Sequence, residues 1–249
     1  MCYNVAYLEK RAQKYAERYK DVPRPDYQLK IDGMLDTYYF VSGFTHPPLP
    51  VVCYDKIELF SWGLIPAWVK EEKQASEIRT KTLNAVGETA FEKPSFRNSI
   101  RSHRCLLGIS GFFEWRDMNK KKYPYYIRVR DEDIFSLGCI YETWLNKATG
   151  ELINTFSIIT TPANPMMEKI HNVKKRMPLI IAREDEKKWI DPATPEEEIK
   201  ELIRPFDQEK MIAYTVSNMI NSPRNERNVS DAIKEVTYPE LKNEGQLLV

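Results

Sequence analysis

Between Arg104 and Thr161 the chain reads RCLLGISGFFEW, YPYYIRVR, DIFSLGCIYETWL and INTFSIITT, broken only by the polar turns DMNKKK, RDED and NKATGE. Runs rich in β-branched and aromatic residues suit a pleated surface, and turns this short cannot hold a crossover helix, so consecutive strands must pair antiparallel. LDTYYFVSGF and VVCYDKIELFSW add two earlier strands of the same kind. Helix signals flank this block. Leu8 to Lys20 is rich in helix formers and mostly charged, which predicts an exposed helix. Further helices are predicted over Pro165–Ile170, Glu184–Ile190 and Pro195–Ile203, the last opened by Thr194 and the acidic PEEE turn. The result is an α+β fold, a largely antiparallel sheet core with flanking helices. With no repeat or Gly/Ser linker, residues 1–249 form one domain.

An apolar fraction of 42% across 249 residues supports a sizeable core. No apolar run approaches about 18 residues and the first 30 residues are polar and charged, so secretion and membrane spanning are not expected. Cys2, Cys53, Cys105 and Cys139 lie far apart without CxxC or CxxH spacing. That spacing suggests neither a disulfide framework nor a metal site, and fits a reducing cytoplasm. The net charge of +1 says little about nucleic acid, because phosphate affinity depends on where basic groups cluster. Three clusters occur: Arg97, Arg101 and Arg104; Lys120 to Lys122; and Lys174, Lys175 and Arg176. Each taken alone reads as a solvated surface.

Four stretches break the expected patterning. A thiol at Cys2, directly behind the initiator methionine, sits where chains are usually loosest. If Met1 is removed it becomes a 1,2-aminothiol, which no internal cysteine can offer. In KTLNAVGETAFEKPSF, Asn84 and Glu88 occupy a polar segment with little periodicity, where an asparagine ordinarily forms a turn. In GFFEW, Glu114 interrupts an apolar strand end; it either pairs with an arginine or has the raised pKa that a proton shuttle needs. In EKIHNVKKRMPLII, His171 stands between a helix and an apolar strand and reads as structural when taken alone. Trp62 and Trp68 in SWGLIPAWV read as core, with base stacking as the alternative.

The order Met1-Cys2, WGLIPAW, LNAVGET, GFFEW and HNVKKRMP resembles the SOS response-associated peptidase (SRAP) family of abasic-site-processing proteins, from Cys2 to about Asn225. The resemblance implies a barrel-like core, no cofactor or metal, and single-stranded DNA containing abasic sites as the partner. It implies a cytoplasmic protein, associated with the nucleoid if bacterial. It further implies that Met1 is removed, by the protein itself or by an aminopeptidase, and that Cys2 then joins the ring-opened abasic aldehyde as a thiazolidine. By the same resemblance Asn84 positions the Cys2 terminus, Glu114 moves protons, and His171 assists opening of the sugar. Thr160 and Arg176 fall near the lesion phosphate or the wall of the site, and Trp68 stacks on a neighbouring base.

Three departures from the family pattern stand out. Tyr3 and Asn4 follow Cys2 where Gly-Arg is usual, Val86 replaces an arginine after Asn84-Ala85, and NVKK separates His171 from Arg176, so the loop must bulge. Lys174, Lys175 and Arg79 are expected to restore part of the lost phosphate affinity. An N-terminal-nucleophile cysteine amidohydrolase or a peptidase would also need Met1 gone and Cys2 exposed, and both remain open at this level.

Overall fold

A computed structural model describes residues 2–244 of the chain. Met1 lies outside the described residues, as does most of the KNEGQLLV tail, read from the sequence as a surface end. The antiparallel block forms as expected, divided between two sheets. One is fully antiparallel, with strands Met211–Thr215, Lys121–Val129, Gly111–Met118, Asn4–Tyr7 and Tyr38–Ser42 in that order. The second runs from Arg176–Pro178 through Leu152–Pro162, Phe135–Leu145, Arg104–Ile109 and Pro48–Val52 to Lys56–Trp62 and Gln28–Leu29. A parallel pairing of Thr155 with Ser61 and Phe156 with Trp62 joins its fifth and first long strands, closing a barrel. Closure removes the exposed edges that an open sheet would present.

Alternation along Arg104–Ile109 shows how the layers are divided. Cys105, Leu107 and Ile109 share a core with Val51, Phe112, Ile127 and Cys2, residues drawn from both sheets. Leu106 points the other way, into a second core with Val52, Ile140 and the helical residues Trp189, Ile199 and Leu202. One apolar interior therefore spans both sheets, and the chain folds as a single α+β domain.

Two local expectations change. The first helix covers Ala12–Arg18 rather than Leu8–Lys20, because Arg11 is held extended by a bridge to Met34 and Lys10 O accepts from Leu35 N–H. It is not a fully exposed helix: Ala12, Tyr15, Ala16 and Tyr19 form a buried stripe at helical spacing. The other correction concerns Arg104, read from its cluster as solvated but only 1% exposed. Its guanidinium donates to the carbonyls of Ile100, Arg101, Trp189 and Asp191, which end the Ser99–Ser102 and Glu186–Ile190 helices. A planar fork of donors satisfies orphan carbonyls at two helix C-termini at once. No helix among the described residues is long and apolar enough to cross a membrane.

Candidate active site

Cys2 leads into the Asn4–Tyr7 strand, which lies between Tyr38–Ser42 and Gly111–Met118. That central position explains why a near-terminal residue is ordered and fully buried. Val5 is paired with Phe112, and continuing this register by two residues sets Tyr3 opposite Glu114. The Glu114 carboxylate is close enough to act on both the Cys2 thiol and the Tyr3 hydroxyl. Burial, followed by the Glu114 charge, pushes the Cys2 thiol far above its ordinary range. Its thiol donates to Asn4 O at a long 3.9 Å.

Glu114 is itself 4% exposed, among Phe and Tyr side chains of its own sheet, and burial pushes its carboxyl up to about 7. His171 ends the Pro165–Ile170 helix, and its Nε2 lies 3.8 Å from Glu114 Oε2. Burial pushes the imidazole down to about 4, with Lys174 and Arg176 acting in the same direction. Near neutrality the pair is therefore a half-protonated carboxyl beside a neutral imidazole, not a salt bridge. His171 Nδ1 lies 2.8 Å from Arg176 O, a group that can only accept, so the ring proton is on Nδ1 and Nε2 presents a lone pair toward Glu114.

Asn84 opens the short strand Asn84–Val86, which pairs in parallel with Ile158, Ile159 and Thr160. It is not a turn former. It is 8% exposed, and neither end of its amide has a hydrogen-bond partner among the described residues. The structure thus brings Cys2, Glu114 and His171 together directly and supplies Asn84 as a buried amide with unused donor and acceptor capacity. Glu88, on the Gly87–Ala90 turn of helix, binds Arg176 through both guanidinium Nη atoms. Arg176 Nη2 also donates to Thr160 O at 2.7 Å. Thr160 is fully buried, so it and Arg176 form a wall of the site, with the Arg176 charge already matched by Glu88.

The NVKK insertion does bulge. Lys175 adopts a left-handed conformation at φ 49, its N–H returns to His171 O at 2.8 Å, and Asn172 is clamped to the Asp117 backbone. This leaves Lys174 exposed yet near enough to lower the pKa of both Glu114 and His171. Lys175 is exposed beside Glu168. Trp62 is core, whereas Trp68 is 49% exposed with its indole N–H directed at Pro94 O. Arg79 ends the Glu72–Arg79 helix with Nε and Nη2 buried and without hydrogen-bond partners among the described residues. Sequence reasoning missed a ring pair beside Cys2: Tyr3 and Phe44, with centroids 5.1 Å apart. Tyr3 counted there only as a departure from the glycine usual behind Cys2. Three surface hollows, one of them lined by Leu8, Lys14, Ser110 and Arg128, include none of Cys2, Asn84, Glu114 and His171. Among the described residues no cluster of three or more His, Cys, Asp or Glu could hold a metal.

Comparison with known proteins places this geometry. The family model described as "SOS response associated peptidase (SRAP)" matches residues 1–223. The abasic site processing protein YoqW of Bacillus subtilis is 42% identical over 166 residues, covering 66% of this chain and 70% of that protein. The abasic site processing protein HMCES of Gallus gallus is 31% identical over 186 residues, covering 66% of this chain and 54% of that protein. A crystal structure of a Bacteroides thetaiotaomicron protein superposes with a TM-score of 0.85 at 41% identity, covering 95% of this chain and all of the other. These matches establish that the chain belongs to the SOS response-associated peptidase family.

Proposed function

We propose that the protein, once Met1 is removed, cross-links through Cys2 to the ring-opened aldehyde of an abasic site in single-stranded DNA. The observation that carries this reading is the meeting of Cys2, which becomes a terminal aminothiol once Met1 is gone, with a carboxyl raised to about 7 and an imidazole lowered to about 4. A free α-amine has a pKa of about 7.7 to 8.0, so a useful fraction of it is a neutral nucleophile at cellular pH. The buried thiol is almost entirely protonated, so the amine attacks first.

His171 Nε2 accepts the proton of the C1′ hydroxyl as the sugar opens and hands it on to the departing ring oxygen. The Cys2 amine adds to the C1′ aldehyde, and the carbinolamine loses one water when Glu114, in its acid form, protonates the departing hydroxyl. Sulfur then adds to the imine carbon. The S–H proton returns to the Glu114 carboxylate and the nitrogen keeps the proton it carried as the iminium, giving a five-membered thiazolidine. The net change is loss of one water. Ring closure removes the imine that would otherwise promote β-elimination, and so protects the strand. Asn84 orients the terminus with its unused amide. Trp68 offers a stacking face, and Lys174, Lys175 and Arg79 supply phosphate affinity.

Incubation of the mature protein with single-stranded DNA carrying one abasic site tests the reading. A heat-stable adduct on a denaturing gel is expected for wild type and none for Cys2→Ala. Absence of the adduct in wild type, or its persistence in Cys2→Ala, refutes it.

A further inference from the structure

Phe44 is 56% exposed although it sits beside a buried site. Its turn cannot fold the ring away. Gly43 N–H donates to Tyr3 O at 2.8 Å, His46 N–H to Gly43 O at 2.9 Å, and Thr45 Oγ1 to Ser42 O at 2.8 Å. His46 is held in the left-handed region at φ 52 with Nδ1 2.7 Å from Trp62 O. A Cβ on Gly43 would come within 2.9 Å of the Trp62 indole, so the turn's backbone lies directly against that ring. A rigid turn that keeps a phenyl in water forfeits burial the fold would otherwise gain.

The exposed ring is also connected to the reactive residue. Phe44 packs on Tyr3 at 5.1 Å and 39°. Tyr3 is bonded to Cys2, and its O is the acceptor that anchors the turn. On the other side of the turn, His46 feels the positive charge of Arg79, whose buried N–H groups have no partner among the described residues. An aromatic face and an unsatisfied cation therefore flank one short segment next to Cys2. That pairing of features is what a single-stranded nucleotide offers in reverse, a base face and a phosphate.

We propose that Phe44, backed by Tyr3, is the stacking platform for the nucleobase adjacent to the abasic residue, in the position where this chain lacks the usual Gly-Arg. The inference rests on the abasic-site reading and names how that site holds its neighbour. An abasic nucleotide has no base of its own to stack, so purchase on the next base fixes where C1′ lies relative to the Cys2 amine. Stacking of this kind tolerates any base, since every base has a π face.

The test uses single-stranded DNA carrying a tetrahydrofuran abasic analogue, which cannot cross-link, with 2-aminopurine on either side of it. Wild type and Phe44→Tyr are expected to quench 2-aminopurine on one side only. Phe44→Ala and Phe44→Leu are expected to lose the quenching and to bind about 5- to 150-fold more weakly, the range aromatic stacking supports. Phe44→Leu keeps apolar bulk on the turn, so its failure separates loss of the π face from loss of folding. Wild-type affinity and quenching in Phe44→Leu overturn the platform. A separate arm measures thiazolidine formation by wild type with acetaldehyde. If that arm fails, the covalent reading falls while the fluorescence still decides the platform.

Discussion

Replacing Glu114 by glutamine should make the protein more stable in alkaline solution and alter stability very little in acid. The carboxyl is held at about 7 against an ordinary 4.5, so the folded state retains a proton that the unfolded chain has released. For an acid raised in this way, stability is fully present below the unfolded pKa and is lost as pH climbs through the folded one. The interval from 4.5 to 7 corresponds to about 3.4 kcal/mol lost by pH 8 and about 0.8 kcal/mol lost by pH 5. The Glu114→Gln effect should therefore shift by about 2.5 kcal/mol in favour of the variant between pH 5 and pH 8. Any fixed cost of placing an amide there cancels in the difference. His171 acts in the opposite sense. Its imidazole is lowered from 6.5 to about 4, so its stabilisation is present above 6.5 and lost as pH falls through 4. In wild type the two slopes offset one another between pH 4.5 and 6.5, and Glu114→Gln should expose the rising histidine limb. Urea unfolding of both proteins at half-unit pH steps, with unchanged m-values, measures this directly. Equal differences in stability at pH 5 and pH 8 would refute the argument that burial tunes this carboxyl.

Cys2→Ser keeps the amine but removes the thiol, so the imine should persist without secure ring closure; strand scission should appear on a denaturing gel and heat-stable adduct should fall at least about tenfold. Asn84→Ala should leave stability within about 1 kcal/mol, because the amide has no bond to lose, yet slow cross-linking about 10- to 100-fold in single-turnover assays. Lys174→Ala and Lys175→Ala should each reduce the salt slope of single-strand binding by about 0.7. Only Lys174→Ala should also move the pH profile of cross-linking upward, since its charge lowers both Glu114 and His171; matching profiles for the two variants would dismiss that distinction.

What the sequence discloses of this fold follows from how local the cause is. The strands from Arg104 to Pro162 are marked by their own residues and by turns too short for any other connection, and they form as expected. Asn84–Val86 carries no such mark, because three residues pairing in parallel with a distant strand take their conformation from that strand. The first helix loses its expected start for a similar reason: Lys10 and Arg11 are claimed by Met34 and Leu35 from later in the chain. Arg104 looks like its fellow arginines until two helix ends, separated by more than eighty residues, converge on its guanidinium.

The site divides along the same line. A reactive terminus is encoded by one position, and Glu114 announces its displaced pKa through the apolar residues around it in GFFEW, so the proposed covalent chemistry has a local signature. The proposed hold on DNA has none. It depends on whether an arginine such as Arg176 is already matched by Glu88, whether one such as Arg79 is left with unused donors, and whether a phenyl such as Phe44 is barred from the core by the turn that carries it. Each of these is a relation between segments far apart in sequence. The loss of Gly-Arg after Cys2 is therefore a poor guide to lost affinity if, as proposed, Phe44, Arg79 and the Lys174 bulge compensate for it. Family members that differ behind the reactive cysteine should differ in how they hold the strand before they differ in the bond they make to it.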